Sequence, residues 1–123
     1  LIFHLFLAIS ILKIVAAKKK LEDLSPAAQE FLKKRDAMID AFEAEEKEFL
    51  NRTPGGKEVA DWLEKKKKGI VFPPKGKAAE AARRSYYTLY GVHTKKVSNF
   101  QGANANAFNE CFQYGFIRRW THA

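Results

Sequence analysis

The sequence predicts a mainly α-helical chain with little or no sheet: one N-terminal transmembrane helix, a long amphipathic helix, and shorter helices joined by Pro/Gly-rich and extended segments. Three observations support this prediction. An apolar run ends in lysines, a helix-forming stretch follows a Ser-Pro pair without interruption, and Pro and Gly divide the remainder. The predicted segments are 1–20, 21–53 and 54–123.

The apolar run at residues 1–17 is interrupted only by His4, Ser10 and Lys13. As a helix it spans roughly 26 Å, slightly less than the ~30 Å hydrocarbon core of a bilayer. Its eleven Leu, Ile, Phe and Val residues favour insertion by roughly 3 to 7 kcal/mol in total, against about 3 kcal/mol for one lysine at the bilayer centre. We therefore expect a membrane anchor followed by a basic stop, formed by Leu5, Phe6, Leu7, Ile9, Leu12, Lys18, Lys19 and Lys20.

Two alternatives remain open for this segment. Val15, Ala16 and Ala17 place small residues where a signal peptidase cleaves, which fits an export signal. A buried core helix is the other alternative. If the segment crosses a membrane once, the positive-inside rule places the lysines and the C-terminal region on the matrix, stromal or cytoplasmic side.

Ser25 and Pro26 predict the start of the long helix, because serine supplies an N-cap oxygen and proline fits the first turn. Helix formers continue to about Leu50, and Pro and Gly then turn the chain. Large apolar residues recur along one stripe, while the opposite face carries charges of both signs. We expect this stripe to contact a partner through Phe31, Met38, Phe42 and Phe49.

A short helix and an extended segment are predicted next. Residues 57–68 place Trp62, a further predicted docking residue, on a narrow apolar face, and Gly69 ends the helix. Two prolines then force residues 70–74 into extended geometry, since a residue before proline is pushed away from the helical region. This segment is interpreted as a spacer or an edge-docking segment.

The C-terminal part of the chain predicts two helices separated by a loop. The first covers residues 77–90 and ends at Gly91, and the polar, irregular residues 92–106 are typical of a segment ordered against a partner. The last helix, residues 107–120, carries Cys111, the only cysteine, as a small core residue. Its aromatic face is the second predicted docking surface, formed by Phe108, Phe112, Phe116 and Trp120.

The formal charge of +8 is concentrated in the second half of the chain. Residues 18–53 carry eight basic and nine acidic side chains, whereas residues 54–85 carry nine and four. Such a surplus suits nucleic acid, anionic lipid headgroups or an acidic partner, and it also fits a solvated basic face.

Signatures of catalysis are missing from the sequence. His4, His93 and His122 are not at metal-ligand spacing to one another or to Cys111. No Gly-rich phosphate loop and no nucleophile elbow occurs. The sequence therefore predicts no enzyme activity, no cofactor, and no catalytic, cofactor-binding or metal-binding residue.

The leading hypothesis is a non-catalytic accessory subunit of a large membrane complex, which contacts other subunits and membrane lipids and acts in assembly and stability. The layout is similar to that of supernumerary subunits of respiratory and photosynthetic complexes, which implies the mitochondrial inner membrane or, alternatively, the thylakoid membrane. A basic RNA- or ribosome-associated protein, with nucleic acid as its partner, is the second hypothesis. A small exported protein cleaved after residue 17 is the third.

Overall fold

The computed structural model describes residues 20–120. Four α-helices follow a 3₁₀ turn at Leu21–Asp23, and no strand occurs in this part of the chain, which confirms the mainly helical class. No helix among residues 20–120 combines the length and the apolar character needed to cross a bilayer. The predicted membrane helix at residues 1–17 lies outside the described residues. The helices are α1 (Pro26–Arg52), α2 (Gly56–Lys66), α3 (Lys77–Ala103) and α4 (Ala105–Gln113).

The described residues form two compact units. The first comprises residues 20–36 and 98–120, and the second comprises residues 37–97. Residues of α1 and α3 belong to both units. This grouping follows contacts in space, whereas the predicted segments follow order along the chain, so the two divisions do not coincide.

Helix α1 begins at the predicted Ser-Pro pair. The Ser25 hydroxyl oxygen accepts the backbone N–H of Ala28 at 3.1 Å, which satisfies one of the donors left unpaired at a helix start. The Ser25 hydroxyl and backbone N–H also donate to the carboxylate of Glu110 in α4, each at 2.8 Å. The cap residue therefore links α1 to α4 within the first unit.

Aromatic side chains form much of the core of the first unit. Phe31 stacks on Phe100 with ring centroids 5.1 Å apart and meets Phe108 edge to face at 6.2 Å. Cys111 is buried in the same cluster, as the sequence predicts for a small core residue. Burial raises the pKa of its thiol, which disfavours the reactive thiolate.

The core of the second unit is centred on Trp62, which packs with Leu50, Val59 and Ala82. The indole N–H of Trp62 donates to the carbonyl of Val71 at 3.3 Å. Because Val71 follows α2, this hydrogen bond ties the connection between α2 and α3 back to the unit core.

The turn between α1 and α2 depends on glycine. Gly55 has a φ of +78°, a conformation that costs glycine little. A Cβ at this position would lie 2.5 Å from the carbonyl carbon of Ala78 and 2.6 Å from the nitrogen of Ala79. The missing side chain of Gly55 therefore lets the first turn of α3 lie close to the turn between α1 and α2.

The structure corrects the predicted loop at residues 92–106. Helix α3 continues through Gly91 to Ala103, and it buries His93 and Val97 on its inner face. Glycine weakens a helix interior by only about 1 kcal/mol, and burial of a large side chain contributes about 1.5–3 kcal/mol. Packing therefore outweighs the local preference of Gly91 to end the helix.

Replacing Gly91 by Ala is expected to raise the free energy of unfolding by about 0.5–1 kcal/mol. The position lies inside α3, and no atom lies within 4 Å of the place that the added Cβ would occupy. Urea denaturation measures the change. Gly115→Ala is the matched control, because its site is equally open but has a φ of +80°, so that the same substitution is strained. A loss of stability in Gly91→Ala would contradict a continuous α3.

The predicted helix at residues 107–120 is shorter in the structure. Helix α4 ends at Gln113, where Gly115 donates to the carbonyl of Phe112 at 3.1 Å and Phe116 donates to that of Cys111 at 2.9 Å. These two hydrogen bonds form a Schellman cap around a left-handed glycine. The prediction of one helix through residue 120 was therefore wrong, since the residues after Gln113 leave the helix, whereas docking by this aromatic face stays a prediction.

Candidate interaction surface

The connection between α2 and α3 exposes large apolar side chains. Ile70 is 104% exposed and Phe72 is 94% exposed, whereas Val71 between them is partly buried against the Trp62 cluster. Val71 also accepts the hydrogen bond from Trp62, so it holds the connection in place while its two neighbours face solvent. We refer to residues 65–77 as the basic apolar segment.

Positive charge surrounds these two apolar side chains. The basic apolar segment contains six lysines and no acidic residue. Lys65 pairs with Asp61 at 2.9 Å and Lys67 pairs with Glu64 at 3.1 Å, and both pairs are exposed and therefore weak. Within residues 20–120, three further lysines of the segment form no ion pair: Lys68, Lys75 and Lys77.

Lys66 is held against aromatic rings. Its Nζ lies 4.9 Å from the ring centroid of Trp62 and 5.7 Å from that of Tyr87, and it donates to the Tyr87 hydroxyl at 3.1 Å. Trp62, a predicted docking residue, is only 7% exposed. The ring of Trp62 therefore packs inside the second unit and offers little exposed surface to a partner.

Two surface grooves adjoin the segment and share Arg83. A groove of about 580 Å³ is bounded by Phe72, Lys75 and the first turns of α3, and a groove of about 510 Å³ continues along α3 past Tyr87. The Nε of Arg83 is buried and has no hydrogen-bond partner among the described residues. The positive charge of Arg83, which lines both grooves, favours an anion there.

A buried histidine in the second unit was missed by sequence reasoning. His93 is 1% exposed, and its Nδ1 and Nε2 lie 2.5 Å from a carboxylate oxygen of Glu46 and 3.1 Å from one of Glu45. Its ring stacks on Phe42 with centroids 4.1 Å apart. Glu46 is also buried, and this burial raises the pKa of its carboxyl despite the hydrogen bond to His93.

The cluster brings one imidazole and two carboxyl groups into hydrogen-bond contact, because each ring nitrogen of His93 faces an oxygen of a different glutamate. No group of three or more His, Cys, Asp and Glu side chains suited to a metal ion occurs in residues 20–120. The spacing of Tyr86, His93 and Val97 by seven and four residues is the signal that would have placed His93 on a buried helix face.

A buried arginine in the first unit was also missed. Arg35 lies on the predicted apolar stripe of α1, where its Nε donates to the side-chain oxygen of Gln101 at 2.8 Å and its terminal nitrogen donates to the carbonyl of Arg119. Burial lowers the pKa of this guanidinium. Arg35 therefore links α1 to the end of α3 and to the C-terminal segment within the same unit.

The predicted docking residues differ widely in exposure. Phe31 and Trp62 are buried in the cores of their own units, whereas Phe112 is 60% exposed. Ile70 and Phe72, the two most exposed large apolar side chains among the described residues, were interpreted from sequence as part of a spacer. The remaining predicted docking residues are partly buried: Met38, Phe42, Phe49, Phe108, Phe116 and Trp120.

Comparison of the chain with protein-family models, with curated proteins and with solved structures finds no match.

Proposed function

We propose that this chain is a non-catalytic accessory subunit of a large membrane protein complex and acts in its assembly and stability. The observation that carries the proposal is the exposure of Ile70 and Phe72 inside a lysine-rich segment. Exposed apolar side chains rimmed by polar residues are typical of surfaces that meet a partner or a membrane. A subunit that lies at a bilayer surface would cover these side chains.

The sequence of residues 1–17 supports the same proposal. Under this proposal, residues 1–17 cross the membrane once. Lys18 to Lys20 stay on the positive-inside face, together with the rest of the chain. Lys13 lies near this end of the helix, so that its ammonium group can reach the interface while its stem stays in lipid. We place the chain in the mitochondrial inner membrane, with the thylakoid membrane as the alternative.

Contact with neighbouring subunits is proposed for the exposed surface of α4. Phe112 stacks on Phe108 with ring centroids 5.8 Å apart and remains 60% exposed. Aromatic side chains are enriched in the cores of protein interfaces, where they bury a large area with little loss of side-chain entropy. Phe112 is therefore the first residue to test for docking.

Co-migration in a mild detergent tests the proposal. The tagged full chain, extracted from its own membranes, is expected to migrate with an assembly much larger than its own 14.0 kDa. Phe112→Ser is expected to weaken this association by about tenfold, the effect of 1.4 kcal/mol. Val92→Ser is the matched control, because Val92 is also an exposed apolar residue on a helix. Migration of the wild-type chain alone would contradict the proposal.

RNA binding, the second hypothesis, has less support from the described residues. Stacking of successive bases requires several accessible aromatic faces. Phe72 offers one beside the lysines, but Trp62 is buried and Tyr87 already contacts Lys66 and Trp62. The export hypothesis concerns residues 1–17, which lie outside the described part of the chain.

A further inference from the structure

The packing of Val71 fixes which apolar side chains of the basic apolar segment are exposed. Val71 is held by the Trp62 cluster and by the indole hydrogen bond, so the side chains on either side of it, Ile70 and Phe72, are directed to solvent from a fixed point. Their exposure therefore follows from the packing of Val71 and does not require a loose loop.

The charge around these side chains is mainly positive. Glu80 also lines the groove beside Phe72, but its carboxylate is paired with Arg84 at 2.6 Å. Lys68, Lys75 and Lys77 have no carboxylate partner among residues 20–120, and Arg83 keeps an unsatisfied Nε beside the groove that Phe72 and Lys75 line. Two exposed apolar side chains flanked along the chain by lysines match a surface that is anionic outside and apolar just beneath. A bilayer with phosphate headgroups has this arrangement.

We propose that the basic apolar segment is a membrane-surface site whose partner is an anionic phospholipid bilayer. Ile70 and Phe72 enter the boundary between headgroups and acyl chains, the three lysines contact lipid phosphates, and the groove beside Arg83 accepts a headgroup. The proposal deepens the proposed function and rests on it for the nearness of a bilayer.

The area and the chemistry favour lipid over a macromolecular partner. Two side chains of this size offer roughly 300–400 Å², whereas a stable protein interface buries about 800 Å² on each partner. An aliphatic side chain such as Ile70 does not stack on a nucleic-acid base, while it partitions readily into an interface. Pro73 and Pro74 lack N–H groups, which disfavours pairing of the segment with a strand of another protein.

Tryptophan quenching in vesicles tests the site. The full chain carrying Phe72→Trp is mixed with phosphatidylcholine vesicles, or with vesicles that also contain phosphatidylserine, and both contain a brominated lipid that quenches tryptophan in the bilayer. The wild-type chain supplies the background of Trp62 and Trp120. Quenching of the added tryptophan is expected in phosphatidylserine vesicles, and high salt is expected to reverse it.

Charge variants separate the lysines from the apolar side chains. Replacing Lys68 and Lys75 together by Gln is expected to weaken contact of the segment with the anionic vesicles roughly 25-fold, at about fivefold for each lysine. Phe112→Trp is the matched control for general nearness to the bilayer, because Phe112 is also exposed but lies outside the segment. This second tryptophan is expected to remain unquenched.

Three results would overturn the lipid site: no quenching at position 72 in anionic vesicles, equal quenching in neutral vesicles, or equal quenching at position 112. The vesicles contain no protein complex. Failure in vesicles with continued co-migration in detergent would therefore remove the lipid site alone, whereas quenching without co-migration would remove the proposed subunit role and keep the site.

Discussion

Replacing His93 by Leu is expected to lower the free energy of unfolding by about 3–5 kcal/mol. The substitution keeps an apolar group against Phe42 but removes both hydrogen bonds to the carboxylates of Glu45 and Glu46. Glu46 is buried, so its charge would be left without its partner in a poorly solvated position. Urea denaturation followed by circular dichroism measures the loss.

Two variants show whether the loss comes from the buried charge. Combining His93→Leu with Glu46→Leu is expected to restore most of the stability, because the pair is then replaced by apolar groups. Glu45→Gln is expected to cost well under 1 kcal/mol, since the Glu45 side chain is mostly exposed. A double variant as unstable as His93→Leu alone would show that shape, and not the charge of Glu46, is responsible.

The pH dependence of Glu46→Gln provides a further control for the same cluster. Burial raises the pKa of Glu46 in the folded chain, so the folded state binds this proton more tightly than the unfolded state does. Its contribution to stability is therefore full below the usual carboxyl pKa and is lost as pH rises through the raised value. Because Gln cannot lose a proton, the stability of Glu46→Gln relative to wild type is expected to increase over this pH range.

Replacing Gly56 by Ala is expected to destabilise the second unit by about 3 kcal/mol or more. A Cβ at this position would lie 1.9 Å from the carbonyl oxygen of Leu50 and 2.7 Å from its carbonyl carbon. These are backbone atoms in the last turns of α1, so they cannot move aside as a flexible side chain can. The substitution must therefore open the turn that joins α1 to α2.

Gly69→Ala is the matched control for this substitution, because nothing lies within 4 Å of the Cβ that it would add. The free energy of unfolding of Gly69→Ala is expected to stay within about 0.5 kcal/mol of the wild-type value. The fluorescence of Trp62, which packs in the core of the second unit, reports unfolding by urea. Equal stability of the two alanine variants would contradict the close approach of α2 to the end of α1.

The ends of α1 and the start of α2 could be predicted because their causes are local. Ser25 caps the helix that follows it, and the Pro-Gly-Gly sequence ends that helix within a few residues of Arg52. The stop predicted at Gly91 was wrong for the opposite reason. The tendency of Gly91 to end a helix is small. Burial of His93, two residues later, is a tertiary effect, and the spacing of apolar residues on either side of a glycine predicts it only weakly.

The buried polar residues could not be predicted in the same way. The sequence predicts a solvated position for Glu46, on the charged face of α1, and no role for Arg35, because a charged residue on a helix is usually solvated. Their partners lie far along the chain: Gln101 is 66 residues from Arg35, and His93 is 47 residues from Glu46. Only the packing of distant segments makes such burial possible.

Sequence alone established the helical class, the two ends of α1, the basic second half, and the core position of Cys111. Each depends on composition or on interactions among near neighbours. The tertiary structure decided which apolar residues the chain uses for itself and which it leaves outside. Phe31 and Trp62 became core, while Ile70 and Phe72 became surface, because burial depends on which distant segments pack together and periodicity along one helix does not specify this.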